Sequence, residues 1–458
     1  MTKYKNWDNP LGTKDISKLI LEFSIPAIIS FLVGALYNIV DQIFIGQGVG
    51  ILGNAATNVA FPLVNLSISI ALLIGAGGAA AYNLYLGARD YKKAEKFAGN
   101  AASYLIIFGI FVVLFTLAFL EPLLKIFGAT DNILELSKTY AGITAFGLPF
   151  MMFSGGYSAL IRGDGSPKFS MMCTLVGAIV NTILDPIFIF GLELGIAGAA
   201  YATVIGQFLS FVVTAYYLKK MRNVSLKKDS FIPSFFVLKE MARLGMAPFI
   251  NQLALMFFQI VLNNTLTYYG ARSDYGSDIP LAVVGVISKV NIIYLAFTLG
   301  ICQGCQPVMG FNYGAKSYKR VKETFFKGLR AVMIISVIAF LIFQIFPLQL
   351  LKIFGKGSDL YYRFGIKYFR IFLAMTFING IQPICSFFFT SIGKAKKGTF
   401  ISLTRQIVFL IPLIIIFSRL FGIEGVLFTG PIADFAAASL AVYLASLEIK
   451  ELDAFMKN

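Results

Sequence analysis

The chain contains no histidine among its 458 residues. A three-histidine metal site, a Ser-His-Asp triad and a histidine proton relay are therefore excluded. Any proton carried near neutral pH has to ride on a carboxylate. Charge is scarce too: 14% of residues are Asp, Glu, Lys or Arg, against about 25% in soluble domains. The four cysteines (Cys173, Cys302, Cys305, Cys385) all lie in apolar runs, which gives no disulfide framework. Cys302 and Cys305 form a CxxC, but with no second cysteine pair and no histidine it reads as small apolar packing. The polar amino-terminal stretch has no apolar core and no small-residue cleavage site, so the first apolar run is expected to act as the insertion signal. No Walker A loop occurs, so direct ATP drive within this chain is not expected, and nothing suggests an enzyme.

Apolar residues make up 57% of the chain, and its mean hydropathy is +0.77. That composition excludes a soluble enzyme, a disordered chain and a secreted disulfide scaffold. It fits an all-α integral membrane protein, since twelve spans need roughly 240 apolar residues. The spans are expected near 16–46, 54–85, 97–122, 135–160, 168–191, 195–218, 240–270, 280–312, 325–347, 360–390, 398–419 and 422–446. Lys and Arg number 39 against 23 acids, and most of them fall in the two tails and the even-numbered loops. The positive-inside rule then puts both termini in the cytoplasm. A net charge of +16 would suggest nucleic acid in a soluble protein. Here the basic loops 89–96 and 316–330 read as topology determinants and anionic-lipid contacts.

The two halves repeat. LLKIFG at 123–128 recurs at 350–355, GARDYKK at 87–93 is matched by GAKSYKR at 314–320, and GIAG at 195–198 by GIEG at 422–425, all with one displacement. Pro26 finds its counterpart in Pro248 after a longer outer loop. Six spans per half make the repeats parallel. The expected organisation is a six-helix lobe at 1–222, a basic cytoplasmic linker at 223–239 and a second six-helix lobe at 240–458, with a cleft between lobes suited to alternating access.

Five segments carry a family likeness: YNIVDQIFIGQGVG (37–50), LGARDYKKAEKF (86–97), NTILDPIFIFGLELGIAGAAYATVIGQ (181–207), GICQGCQPVMGFNYGAKSYKR (300–320) and GPIADFAA (430–437). On them the chain resembles, over its full length, the MATE (multidrug and toxin extrusion) family, in its MepA-like branch near the DinF-like group. The resemblance implies a V-shaped, two-lobed antiporter that exports organic cations in exchange for H+ or Na+. It also implies a bacterial plasma-membrane protein, and a monomer is the expected form.

Intramembrane ionisable groups are the sharpest functional signal, because a carboxylate at mid-span costs about 2.5–3.5 kcal/mol on insertion scales. Asp41 lies near the outer end of span 1 and Asp185 in the outer part of span 5. Tyr37 and Asp41 share a helix face at i,i+4, as do Asn181 and Asp185. Thr203 enters span 6 at similar depth. The resemblance places these five on the lining of the N-lobe pocket of DinF-like members, with the two aspartates as candidate cation or proton sites. Two neighbouring carboxylates repel, so one would tend to keep a proton. The same Asp, Asn and Thr oxygens suit Na+, so the residues do not choose the ion. The plainer reading leaves Asp41 as an interfacial helix-end carboxylate and Asp185-Pro186 as a helix end.

In the second lobe, spans 7 and 10 lack the mid-span acids of other MATE branches. Lys289 in span 8 and Asp434 in span 12 are read as a charge pair, with a cavity role for Asp434 as the other option. Gln303, Gln306 and Pro307 are expected to put amides and a break into span 8, either for helix packing or for substrate. Pro26 is either a static kink or a hinge for span 1. Among the 46 Phe and 21 Tyr, those facing the cleft would suit flat cations. A flippase for a lipid-linked saccharide of the same superfamily is the alternative function, and an uncoupled channel or scaffold a third.

Overall fold

The computed structural model describes residues 9–129, 131–353 and 357–456, apart from the side chain of Ile51. The first eight residues lie outside this set, as do Phe354 and Gly355 of the second LLKIFG. Among the described residues, nine helices are long and apolar enough to cross a membrane. The last of these, Ala395–Phe455, contains two spans, because Gly422 breaks the helix at φ 62°, ψ −146°, a conformation open to glycine and strained for other residues. The pair Asp359–Phe372 and Thr376–Ser391 forms another span, bent by 48°. Asp131–Ala145 and Leu148–Gly163 make up the fourth, interrupted at Phe146-Gly147 just ahead of Pro149. Helices thus cover each of the twelve stretches where a span was expected.

Several helices outrun the bilayer. Spans 1, 2, 7 and 8 are Ile16–Gly48, Ile51–Gly87, Phe235–Gly270 and Asp278–Gly314, of 33, 37, 36 and 37 residues. At 1.5 Å per residue each is about 50–55 Å long, against a hydrocarbon core of about 30 Å. Their bases extend past the apolar runs, which is why the sequence placed the start of span 7 several residues late. Span 8 shows no break at Pro307: the helix runs through it. Ser24 approaches Gly304 and Cys305 approaches Gly328, so neighbouring helices pack closely against the turn that precedes Pro307. All four cysteines are free and buried.

The chain packs into two compact units, and these do not follow the partition at 222 and 240. The first comprises residues 1–14, 25–249 and 314–316; the second comprises 15–24, 250–313 and 317–458. The base of span 1 thus belongs to the second unit and the base of span 7 to the first. Both crossings sit beside the repeat-related prolines, Pro26 and Pro248. Repeat-related glycines receive the incoming helices. A Cβ on Gly77 would strike the Met241 carbonyl inside the first unit, and one on Gly304 would strike Ser24 inside the second.

Buried acids tie the charged end of each unit. In the first, Asp164 is fully covered and accepts from Tyr82 Oη at 2.6 Å, Tyr217 Oη at 2.8 Å, the Arg222 amide at 2.6 Å and Asn223 Nδ2 at 2.9 Å. The linker after it is docked, not loose. Asn100 Nδ2 donates to the Ser230 carbonyl at 2.9 Å, and Ser103 Oγ to the Phe231 carbonyl at 2.7 Å. In the second unit, Glu448, also fully covered, pairs with Lys394 at 2.5 Å and Lys397 at 2.8 Å.

Two substitutions check this packing. Gly77→Leu and Gly304→Leu are each expected to lower the thermal unfolding midpoint of the detergent-solubilised protein, by overpacking worth about 1–3 kcal/mol or more. Gly155→Ala, where a Cβ meets nothing within 4 Å, should leave the midpoint unchanged or slightly raised. Asp164→Ala should also lower it, since two phenols, the Arg222 amide and the Asn223 side chain lose their shared acceptor, at about 1–3 kcal/mol for each buried group.

Candidate functional site

Within the first unit, the residues singled out in spans 1, 5 and 6 come together. Asp41 is 6% exposed, Asp185 0%, Asn181 2% and Thr203 5%. Asn181 Nδ2 bridges Asp185 Oδ1 at 3.2 Å and Thr203 Oγ1 at 3.3 Å. The Asp41 and Asp185 carboxyls lie within hydrogen-bonding reach of one another. Ionised carboxylates only accept, so a bond between them needs a proton. The Thr203 hydroxyl is within reach of Tyr37 and also of Tyr140. Neither aspartate has a Lys or Arg partner among the described residues.

The local fold explains this convergence. Span 5 does not stop at Asp185-Pro186. The proline lacks an N–H, and the helix continues as a wide π turn over Ile187–Gly191, a feature concentrated at functional sites. One turn beyond the aspartates, Ile45, Ile189 and Ala199 close an apolar cluster with Phe44, Val49 and Tyr140. The carboxyls therefore sit under an apolar cap. Three buried oxygens of the pocket, Asp41 Oδ1, Asn181 Oδ1 and Asp185 Oδ2, have no hydrogen-bond partner. Buried acceptors left this way are costly, and they are the groups that a proton or a small hard cation would satisfy. Among the described residues no three Cys, Asp or Glu side chains are grouped to hold a metal ion.

The second unit corrects one pairing. Asp434 bonds Arg405, Nε to Oδ1 at 2.6 Å, and not Lys289, which is exposed on its helix. Arg405 reaches the buried acid because a π turn over Thr404–Leu410 interrupts span 11. Its place near the start of that span made it look like an end-of-helix charge. Gln306 is buried and Gln303 half-buried inside the unbroken span 8. Pro26 is buried inside an unbroken helix.

The MatE family model matches residues 26–187 and again residues 249–416. The chain belongs to this family. The first match begins at Pro26 and the second at Phe249, one residue after the repeat-related Pro248, so the family unit is the duplicated half. A relative from Staphylococcus aureus (strain MSSA476), named multidrug export protein MepA, is 26% identical over 436 residues and 94% of both chains. A namesake from Staphylococcus saprophyticus is 26% identical over 440 residues, again 94% of both chains. A MATE structure in the bent conformation superposes with a TM-score of 0.88 at 25% identity, over 98% of this chain and 100% of that one. A MOP superfamily transporter from Pyrococcus furiosus shares the fold at TM-score 0.89 and 24% identity, over 98% and 99%.

In this MatE chain, Tyr140, Gln42 and Arg405 are neighbours that sequence reasoning missed. Gln42 touches Asp41 and donates to Thr57 Oγ1 at 3.2 Å. Tyr140 belongs to the helix before the Phe146-Gly147 interruption, and no spacing rule links it to span 1 or span 5. A membrane-permeant carbodiimide, which captures protonated buried carboxyls, is expected to label the Asp41/Asp185 pair near neutral pH at about one equivalent per protein. Mass spectrometry of the Asp41→Asn/Asp185→Asn double variant should show that label gone.

Proposed function

We propose that this MatE family member is a secondary active exporter of cationic and amphiphilic drugs, driven by counterflow of H+ or Na+ at the Asp41/Asp185 pocket. The observation that carries the reading is the trio of partnerless buried oxygens on Asp41, Asn181 and Asp185, set in membrane spans with no cationic side chain among the described residues to answer them. Proton binding would bridge the two carboxyls. Sodium would instead draw on Asp41, Asn181, Asp185 and Thr203 oxygens. Either event changes the pocket's charge, and Asn181 connects it directly to span 6 through Thr203. Tyr37 and Tyr140 add phenol groups on the same hydroxyl. The names of the staphylococcal relatives support the drug class, and the acidic pocket favours cations over anions there. The proposed setting is a bacterial cytoplasmic membrane with both termini inside, and the proposed form is a monomer.

The energetics suffice. One charge moved through 100 mV is worth about 2.3 kcal/mol, roughly a fifty-fold concentration ratio, without ATP. In proteoliposomes the wild-type protein is expected to export a cationic dye under an imposed pH or Na+ gradient, and the effective gradient names the ion. Asp41→Asn should reduce gradient-driven export by tenfold or more. Dye movement that ignores both gradients, or flipping of a fluorescent lipid in place of dye export, would overturn the reading.

A further inference from the structure

The second unit holds a charged pair that the Asp41/Asp185 pocket does not use. Arg405 lies in the π turn Thr404–Leu410, and its Nε donates to Asp434 Oδ1 at 2.6 Å. Among the described residues this is the guanidinium's single hydrogen bond, so its two Nη groups, with four N–H donors, are left over. The partners are unequally covered: the Asp434 side chain is 1% exposed and that of Arg405 17%. The accessible face of the pair is therefore its cationic one. Tyr294 and Tyr368, both buried, lie within electrostatic range of the pair. Tyr294 Oη is engaged with Ser336 Oγ at 2.9 Å. Gln406 Oε1 is buried without a partner. The repeat places Gln207 and Ala178 where Asp434 and Arg405 stand, so the pair is particular to the second half.

The geometry points to Arg405 as the docking point for the carboxylate of a zwitterionic amphiphile, an inference that rests on the export reading. A guanidinium takes a carboxylate through two parallel N–H bonds, and the free Nη groups supply such donors. Asp434, Arg405 and a bound carboxylate together carry one negative charge, which a low-dielectric interior resists. A substrate with its own cationic group cancels it. Drugs that carry both a carboxylate and an amine fit this requirement, whereas purely anionic ones do not.

The test uses a matched pair of probes, a cationic xanthene dye with a free carboxylate and its methyl ester. Binding to the purified full-length protein is read by fluorescence anisotropy, as the ratio of the two affinities. Arg405→Gln is expected to lower the acid-to-ester ratio by roughly tenfold. Arg405→Lys, which keeps the charge but loses the fork, should fall between that variant and wild type. Asp434→Asn removes the internal competitor and should raise the ratio. A structural salt bridge would not shift the ratio in opposite directions. If both dyes bind and the ratio is the same in wild type, Arg405→Gln and Asp434→Asn, the docking role is overturned and the export reading stands. If wild type binds neither dye, both are overturned.

Discussion

A charge inside a bilayer has to be answered within a few ångströms, because neither lipid nor distant water can do it. Each unit meets that constraint in its own way. The first places two carboxyls together with no cationic side chain among the described residues, and answers them incompletely with Asn181 and its neighbours. The second gives its buried acid an arginine. The first arrangement is open-ended, since its net charge depends on what small ion is present. The second is closed electrostatically but leaves hydrogen-bond donors over. Both lie next to a π turn, in the repeat-related spans 5 and 11.

Much of this was legible from residue order. Apolar runs, basic loops and the three matched motifs carried the twelve spans and the duplication, because hydropathy and repetition are properties of short segments. Asp41, Asp185, Asn181 and Thr203 were legible as a group because intramembrane polar residues are rare and i,i+4 spacing puts them on shared faces. Tyr140 was not, since its approach to Thr203 depends on how a broken span packs against span 6. The Arg405–Asp434 pair was missed in favour of Lys289 because depth along each span was counted as if every helix were regular. The π turn at Thr404–Leu410 spoils that count. The break expected at Pro307 failed for a similar reason: neighbouring helices at Gly304 and Gly328 decide what a proline does in the membrane.

The buried acids at the charged ends give the units a second kind of order. Asp164 collects donors from span 2, span 6 and the linker, and Glu448 collects two lysines from the turn before span 11. In these regions polar groups do the fixing that small-residue contacts do deeper in each unit. The partnerless oxygens of Asp41, Asn181 and Asp185 lie beside the π turn Ile187–Gly191, so there backbone irregularity and unmet hydrogen-bonding capacity occur together.

The base of span 1 belongs to the second unit and the base of span 7 to the first. Neither unit is complete from its own half of the sequence. A single six-span ancestor would have met the same requirement by lending its first helix to a second copy, as domain-swapped dimers do. Fusion of the two genes would then have preserved an exchange already in place, making permanent a partnership that began between separate molecules.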